Sequence, residues 1–290
     1  MSSFGLKVFA LILMIIDHAA EFLPGMPVWM RWIGRLAAPI FIFCSVWSFT
    51  YTRDRKKYLF RLYIAGVIMS LIQWKLYIPN NFFRSLFSLM VILYLFECYQ
   101  KNSDFGKKLI FYLCWQIGTI GICIILLSCL CLPESFIVYV LAAVMGTIFN
   151  LEGGLIYVFL GVLFWLFRNQ KIKLAVSFCI FDVFLFGLTT TSIISLSLGW
   201  LRFHFPILTA PLEGLRYLLD TVIGLPPAEL GGSIWLQNYE WMMIGSLPFL
   251  LMYNKNKGKS KKWFFISYIP CILLLYGISE IISYRVEEVL

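Results

Sequence analysis

The side chains best suited to chemistry lie close together at the start of the chain. Lys7, Asp17, His18 and Glu21 all fall within one apolar stretch that runs from roughly residue 5 to 23. At 100° per residue from Lys7, His18 sits near about +20°, Glu21 near about −40° and Asp17 near about −80°. One face of the predicted helix is therefore polar along its length. A rise of 1.5 Å per residue places Lys7 and His18 about 16 Å apart, too far to touch but within reach of one long ligand. A histidine at such depth offers a base for proton transfer. Intramembrane ionisable groups also have a bland reading, since an ion pair satisfies them without any catalysis. That reading has partners here. The turn Pro24-Gly25-Met26-Pro27 sends the chain back, so Arg31 and Arg35 return to about the depth of Glu21 and Asp17. Asp17 or Glu21 is expected to pair with Arg31 or Arg35. Across that hairpin His18 has no evident carboxylate partner, and Asp17, its neighbour, points in a different direction. The candidate catalytic set is His18 as base, Asp17 beside it, and Arg35 as donor to a developing oxyanion or as a structural partner.

The elements that must position these groups follow from composition. With 61% hydrophobic and 13% charged residues and a mean hydropathy of +0.84, the chain is neither disordered, nor a coiled coil, nor an ordinary soluble fold. Crossings of about 20 apolar residues each account for its apolar content with roughly nine of them. The fold class is all-α, a polytopic integral-membrane bundle of about nine to ten transmembrane helices with one broken or re-entrant helix. Residues 1–290 read as a single membrane domain, with 1–78 as the catalytic hairpin region and 202–238 as an outer interfacial segment. Basic clusters at Arg53 to Lys57, Lys101 to Lys108, Arg168 to Lys173 and Lys255 to Lys262 belong on the cytoplasmic side, and so does the N-terminus. Net charge +9 is thus a topology signal, and nucleic acid is not among the expected partners. Asp17, His18 and Glu21 occupy the place of a signal-cleavage site, so the first helix is read as uncleaved.

One net crossing is required between residues 136 and 168, yet Asn150-Leu151-Glu152-Gly153-Gly154 divides that stretch into two pieces too short to span. This is where the broken helix is expected. In 202–238, Leu212, Leu215, Leu218, Leu219, Val222 and Ile223 recur at helical spacing and predict a short amphipathic helix at the outer interface. Asp182, followed by Thr189, Thr190, Thr191, Ser192 and Ser195, lines a cavity or bonds across helices. Lys75 and Arg84 read as helix caps, and Glu240 falls on the outer side. The eight cysteines lie mostly in apolar stretches without metal-ligand spacing, and no metal site, nucleotide fingerprint or Ser-His-Asp order is discernible.

Three blocks then carry a family resemblance: Leu6-Lys7-Val8-Phe9-Ala10-Leu11 through Asp17-His18; Trp32-Ile33-Gly34-Arg35-Leu36-Ala37-Ala38-Pro39; and Tyr51-Thr52-Arg53-Asp54-Arg55-Lys56-Lys57-Tyr58 with Arg61-Leu62. They resemble the TraX family, membrane proteins linked to N-terminal acetylation of conjugative pilin. Gly154-Leu155-Ile156-Tyr157 and Leu247-Pro248 extend the likeness to the middle and the end of the chain. The family is similar to the broader integral-membrane acyltransferases, in which an early basic residue and a histidine eleven positions later form the functional pair; Lys7 and His18 have that spacing. In the last helix the family usually carries Tyr-Pro-x-His, where this chain reads Tyr268-Ile269-Pro270-Cys271.

The resemblance implies an acyltransferase of the inner or plasma membrane. Acetyl-CoA would be the donor on the cytoplasmic side, with no metal, and the acetyl group would pass to an acceptor toward the outer face, a pilin-like peptide amine or a glycan. Lys7, Arg61, Arg55 and Lys57 are then the candidates for the CoA phosphates. For the loop cations among them, topology and contact with lipid headgroups is the competing reading. A membrane transporter or a non-enzymatic membrane scaffold is the alternative function.

Overall fold

A computed structural model describes residues 1–78, 81–101, 104–129, 132–256 and 269–280. The lysines between 257 and 262, Tyr268 and the C-terminal residues 281–290 lie outside the described residues. Every regular element among the described residues is helical. In chain order these are α1 (Ser3–Phe22), α2 (Trp29–Gly34), α3 (Ala37–Tyr51), α4 (Arg55–Leu76), α5 (Phe82–Gln100), α6 (Phe105–Ser128), α7 (Ala142–Val144), α8 (Gly154–Phe167), α9 (Lys171–Thr190), α10 (Ile193–His204), α11 (Thr209–Tyr217) and α12 (Leu247–Leu251). A last apolar helix, α13, covers Ile269–Glu280. Among the described residues six spans are long and apolar enough to cross a membrane: α1, α2 with α3, α4, α5, α6 and α9. Three apolar helices among the described residues are shorter: α8, the stretch Glu240–Leu251, and α13. The architecture is the all-helical, multi-pass membrane type that composition predicts.

The chain folds as two compact units, one built from Met1–Cys44, Phe167–Ser195 and Ala228–Leu290, the other from Ser45–Leu166 and Leu196–Pro227. In the first unit, α1 starts at Ser2, whose Oγ accepts from the Gly5 N–H at 3.2 Å. It presents Leu6, Ala10, Leu13, Met14 and His18 to the interior, a helical stripe that coincides with the polar face. After the turn at Gly25, α2 is only six residues long. The chain is non-helical at Arg35 and Leu36 and resumes as α3. Pro39 explains the interruption, because it has no N–H to donate and its ring crowds the carbonyl four residues back, that of Arg35.

Hydrogen bonds define the two ends of this unit. At one end the Ser3 N–H donates to the Asn256 carbonyl at 2.8 Å and the Asn254 N–H to that of Met1 at 3.0 Å. Lys171 Nζ donates to the Leu251 carbonyl at 2.7 Å and Lys255 Nζ to Asn169 Oδ1 at 3.3 Å. The N-terminus, the Asn169–Lys171 turn and the 251–256 loop therefore share one face, as charge bias predicts. At the other end, Ser279 Oγ donates to the Phe22 carbonyl at 2.8 Å and Asn238 Nδ2 to that of Thr189 at 2.7 Å. The long apolar stretch 174–201 is divided between α9 and α10. Thr189 and Thr190 turn their hydroxyls back onto the carbonyls of Leu185 and Phe186, at 2.8 and 2.5 Å, and Thr191 does the same to Gly187. Such back-bonding competes with the helix, which ends with Thr191 extended.

The second unit contains the broken helix. A π-helical turn, Phe136–Leu141, runs into α7, and helix resumes only at α8. The gap, 145–153, is wider than Asn150–Gly154 alone suggests. Its carbonyls, and that of Val144 at the end of α7, are met by side chains from three other helices. Tyr63 Oη donates to Val144 at 2.7 Å, Trp115 Nε1 to Met145 at 2.8 Å, Gln116 Nε2 to Gly146 at 3.1 Å, and Arg84 Nη2 to Phe149 at 2.8 Å. Gln116 also accepts from the Ile148 N–H at 2.9 Å, and Ser85 donates to the Glu152 carbonyl at 2.7 Å. Irregular backbone inside a membrane protein needs this kind of satisfaction. Arg84, expected to be a helix cap, is instead 5% exposed and clamps the break. The restart also depends on glycine. A Cβ on Gly154 would stand 2.4 Å from the backbone nitrogen of Gly224, and both residues have positive φ, +60° and +82°. The amphipathic helix expected in 202–238 is α11 with a π-helical continuation, Leu218–Ile223, ending at Gly224.

Candidate functional site

Side chains of α1, of α2 and of Arg35 just after it meet two residues from 200 positions later at the Phe22 end of the first unit. Arg31 is the hub. Its Nη1 lies 3.0 Å from Glu21 Oε2 and 3.4 Å from Asp17 Oδ1, and its Nε donates to Tyr239 Oη at 3.3 Å. Arg35 places Nη2 3.8 Å from Asp17 Oδ2 and Nη1 2.9 Å from Glu240 Oε1, with the guanidinium 5.2 Å above the Tyr239 ring. The pairing expected across the first hairpin is present for both arginines. It forms because equal offsets from the Pro24–Pro27 turn give matching depths, and because Gly34 lets α2 close on α1. A Cβ at Gly34 would sit 2.3 Å from the Asp17 Cβ, a distance no side chain tolerates.

His18 is 4% exposed and its ring stacks on Phe22 at 5.8 Å. Its Nδ1 is 3.0 Å from Glu21 Oε2, one helical turn away. An ionised carboxylate accepts only, so in a neutral ring this contact selects the tautomer that carries its proton on Nδ1. The carboxylate partner of His18 is thus on its own helix and not across the hairpin. Asp17, His18 and Glu21 each bring one ligand atom within 4.8 Å of the others, a spacing that can hold a metal ion. The Arg31 guanidinium already supplies positive charge to the same two carboxylates.

The predicted phosphate-binding cations separate into two environments. Lys7 lies on the interior-facing stripe of α1 beside the buried Cys44, four residues from the helix start. The others belong to the second unit. Arg55 places Nη2 3.0 Å from Glu97 Oε1 and turns further donors onto the carbonyls of Phe49, Thr50 and Thr52, which caps the end of α3. Lys57 and Arg61 are exposed on the first two turns of α4, whose N-cap Asp54 accepts from the Lys57 N–H at 2.9 Å. Sequence reasoning leaves Tyr239 unread and assigns Glu240 only to the outer side. The one local signal is that these two polar residues open an apolar run.

A family model described as "TraX protein" matches residues 3–279. A stretch of 71 residues is 41% identical to a protein of Dichelobacter nodosus named "Probable fimbrial assembly protein FimC, serogroup H1", covering 23% of this chain and 29% of that protein. The match therefore spans less than a third of that relative. No solved structure matches.

Proposed function

The chain belongs to the TraX family, and from that premise we propose that it is a membrane acyltransferase in which His18, oriented by Glu21, takes the proton of an acceptor amine or hydroxyl. The observation that carries this reading is the 3.0 Å contact between His18 Nδ1 and Glu21 Oε2 on a buried face of α1. It leaves Nε2 as a proton acceptor in a site shielded from bulk water. The donor proposed is acetyl-CoA, which supplies an acetyl thioester. The acceptor heteroatom forms its bond to the acetyl carbon as its proton passes to His18 Nε2. The carbon–sulfur bond breaks, and the departing thiolate takes up that proton. Asp17 and Arg35 act through the ion network: Arg35 ties Asp17 to Glu240, and the network fixes the helix that carries His18. Lys7, about 16 Å along α1, is the proposed partner for the donor's phosphates. Among the other expected cations, the fork of Arg55 is engaged with Glu97 and the α3 carbonyls. The N-terminal end of α1 is taken as cytoplasmic, and a pilin-like N-terminus or an envelope glycan as the acceptor.

Transport is the second reading, and it draws on the break between α7 and α8. Purified protein incubated with acetyl-labelled acetyl-CoA and a peptide bearing a free N-terminal amine separates the two. Label in the peptide, or stoichiometric release of CoA, supports acyl transfer. Absence of both, together with no measurable CoA binding, sinks it.

A further inference from the structure

Asp182 belongs to none of the interactions above. It lies on the buried stripe of α9 with Phe178, Phe181, Leu185 and Thr189, and is 6% exposed. That stripe packs on the 3-10 helix Glu240–Ser246 and on α12. Three buried polar atoms of this interface have no hydrogen-bond partner among the described residues: Asp182 Oδ1, Ser246 Oγ and Trp241 Nε1. Along the interface Asp182 falls between the other two in depth. The Trp241 ring meets Phe186 of α9 at 5.2 Å, which fixes the antiparallel register. From there Asp182 is one turn on, about 6 Å, and Ser246 is five residues along the facing 3-10 helix, about 10 Å. Pro248 adds to the polarity, since it gives the preceding turn no N–H. The titratable groups that face Asp182 can be named. The 3-10 helix contributes Glu240, which is held by Arg35 at 2.9 Å, and α12 contributes none. On α9 itself the free, exposed thiol of Cys179 is three residues away, and the cations Lys171 and Lys173 lie about 16 and 14 Å away along the axis. No ion pair with Asp182 occurs among the described residues. A buried carboxylate without a cation is too costly to stay charged and empty-handed; it holds a proton or a ligand that replaces one.

We propose that α9 and the Glu240–Ser246 helix enclose a proton-binding site inside the membrane-spanning region, with the Asp182 carboxylate as acceptor and Ser246 and Trp241 bonded to it through water. The exchange is balanced by solvent: the carboxylate takes a proton from hydronium and releases water, and gives it back by the reverse step. This site is independent of the acyl-transfer reading.

Dicyclohexylcarbodiimide tests it, because this apolar reagent adds to protonated carboxyl groups inside membranes. The full-length protein is treated in sodium-free vesicles, and the modified residue is located by mass spectrometry. The expected result is an adduct on Asp182 whose yield falls at least about tenfold as pH is raised from about 6 to about 9. Glu240, held as an ion pair, stays unmodified. Asp182→Asn removes the adduct, and Ser246→Ala keeps the adduct but moves the pH at which it disappears. No adduct on Asp182 at any pH, or a yield indifferent to pH, overturns the proposal. So does protection by added sodium at fixed pH, which would mark a metal-cation site.

Discussion

Glu21 has two partners, and its position between them sets the behaviour of the residues around it. One carboxylate oxygen serves both His18 Nδ1 and Arg31 Nη1, each at 3.0 Å. Glu21→Gln keeps the shape and removes the charge, so His18 loses the group that fixes its tautomer. Turnover is expected to fall between about 10- and 1000-fold with little change in KM for the acceptor. Removing Arg31 leaves two carboxylates facing each other. Arg31→Met is expected to destabilise by about 1–3 kcal/mol, because these side chains are about one-fifth exposed and partly solvated. The Glu21→Gln, Arg31→Met double variant should lose less than the sum of the single losses, measured by thermal unfolding in detergent. The arginine pairing was legible in the sequence because it depends only on distance from a turn. The His18–Glu21 contact was present as an i, i+3 spacing, but that spacing alone does not say which of Glu21's neighbours its rotamer chooses. Tyr239 and Glu240 were not legible as partners, since contacts over 200 residues leave no periodic trace.

Helix α2 can close on α1 only because of Gly34, and helix α8 can restart only where Gly154 and Gly224 meet. Gly34→Val drives a side chain into Asp17 and is expected to cost about 1–3 kcal/mol, with loss of acyl transfer even in the fraction that remains folded. Leu in place of Ile33, exposed on the same short helix, should cost much less. In the second unit, Arg84→Met removes the donor to the Phe149 carbonyl and should destabilise by about 1–3 kcal/mol, while Arg84→Lys should recover part of that loss. Equal melting temperatures for wild type and Arg84→Met would show that the break does not need its clamp. The sequence signalled the break through Asn150-Leu151-Glu152-Gly153-Gly154, four of them poor helix formers or strongly polar. Its true width was hidden, because residues 145–149 are mostly apolar and read as helix until Arg84, Trp115 and Gln116 are seen to hold their carbonyls. The split of 174–201 into α9 and α10 was recoverable in principle, since a helix of 28 residues is about 42 Å long, well beyond a hydrocarbon core of about 30 Å.

At the scale of the whole molecule, the polar face of α1 joins two ends with opposite character. The N-terminal end gathers Lys7, Lys171 and Lys255, and the far end gathers Arg31, Arg35 and three carboxylates. Single cysteines at Asn169 and Lys255, in a background without other cysteines, should label from the same side of sealed vesicles. A cysteine at Gly25 should label from the other side. Labelling of Asn169 and Lys255 from opposite sides would contradict the hydrogen bonds that join them. Composition and charge bias made the class of the molecule legible, but the division into two compact units was not, because α3 and α10 each pass from one unit to the other without any change in composition. The most direct measurement is the rate of acetyl transfer from acetyl-CoA to a peptide amine by purified wild type, His18→Ala and Lys7→Ala, each verified as folded by its melting temperature. The account predicts a fall of at least about 100-fold in kcat for His18→Ala, and for Lys7→Ala mainly a rise in KM for the donor. Wild-type turnover by folded His18→Ala would contradict it.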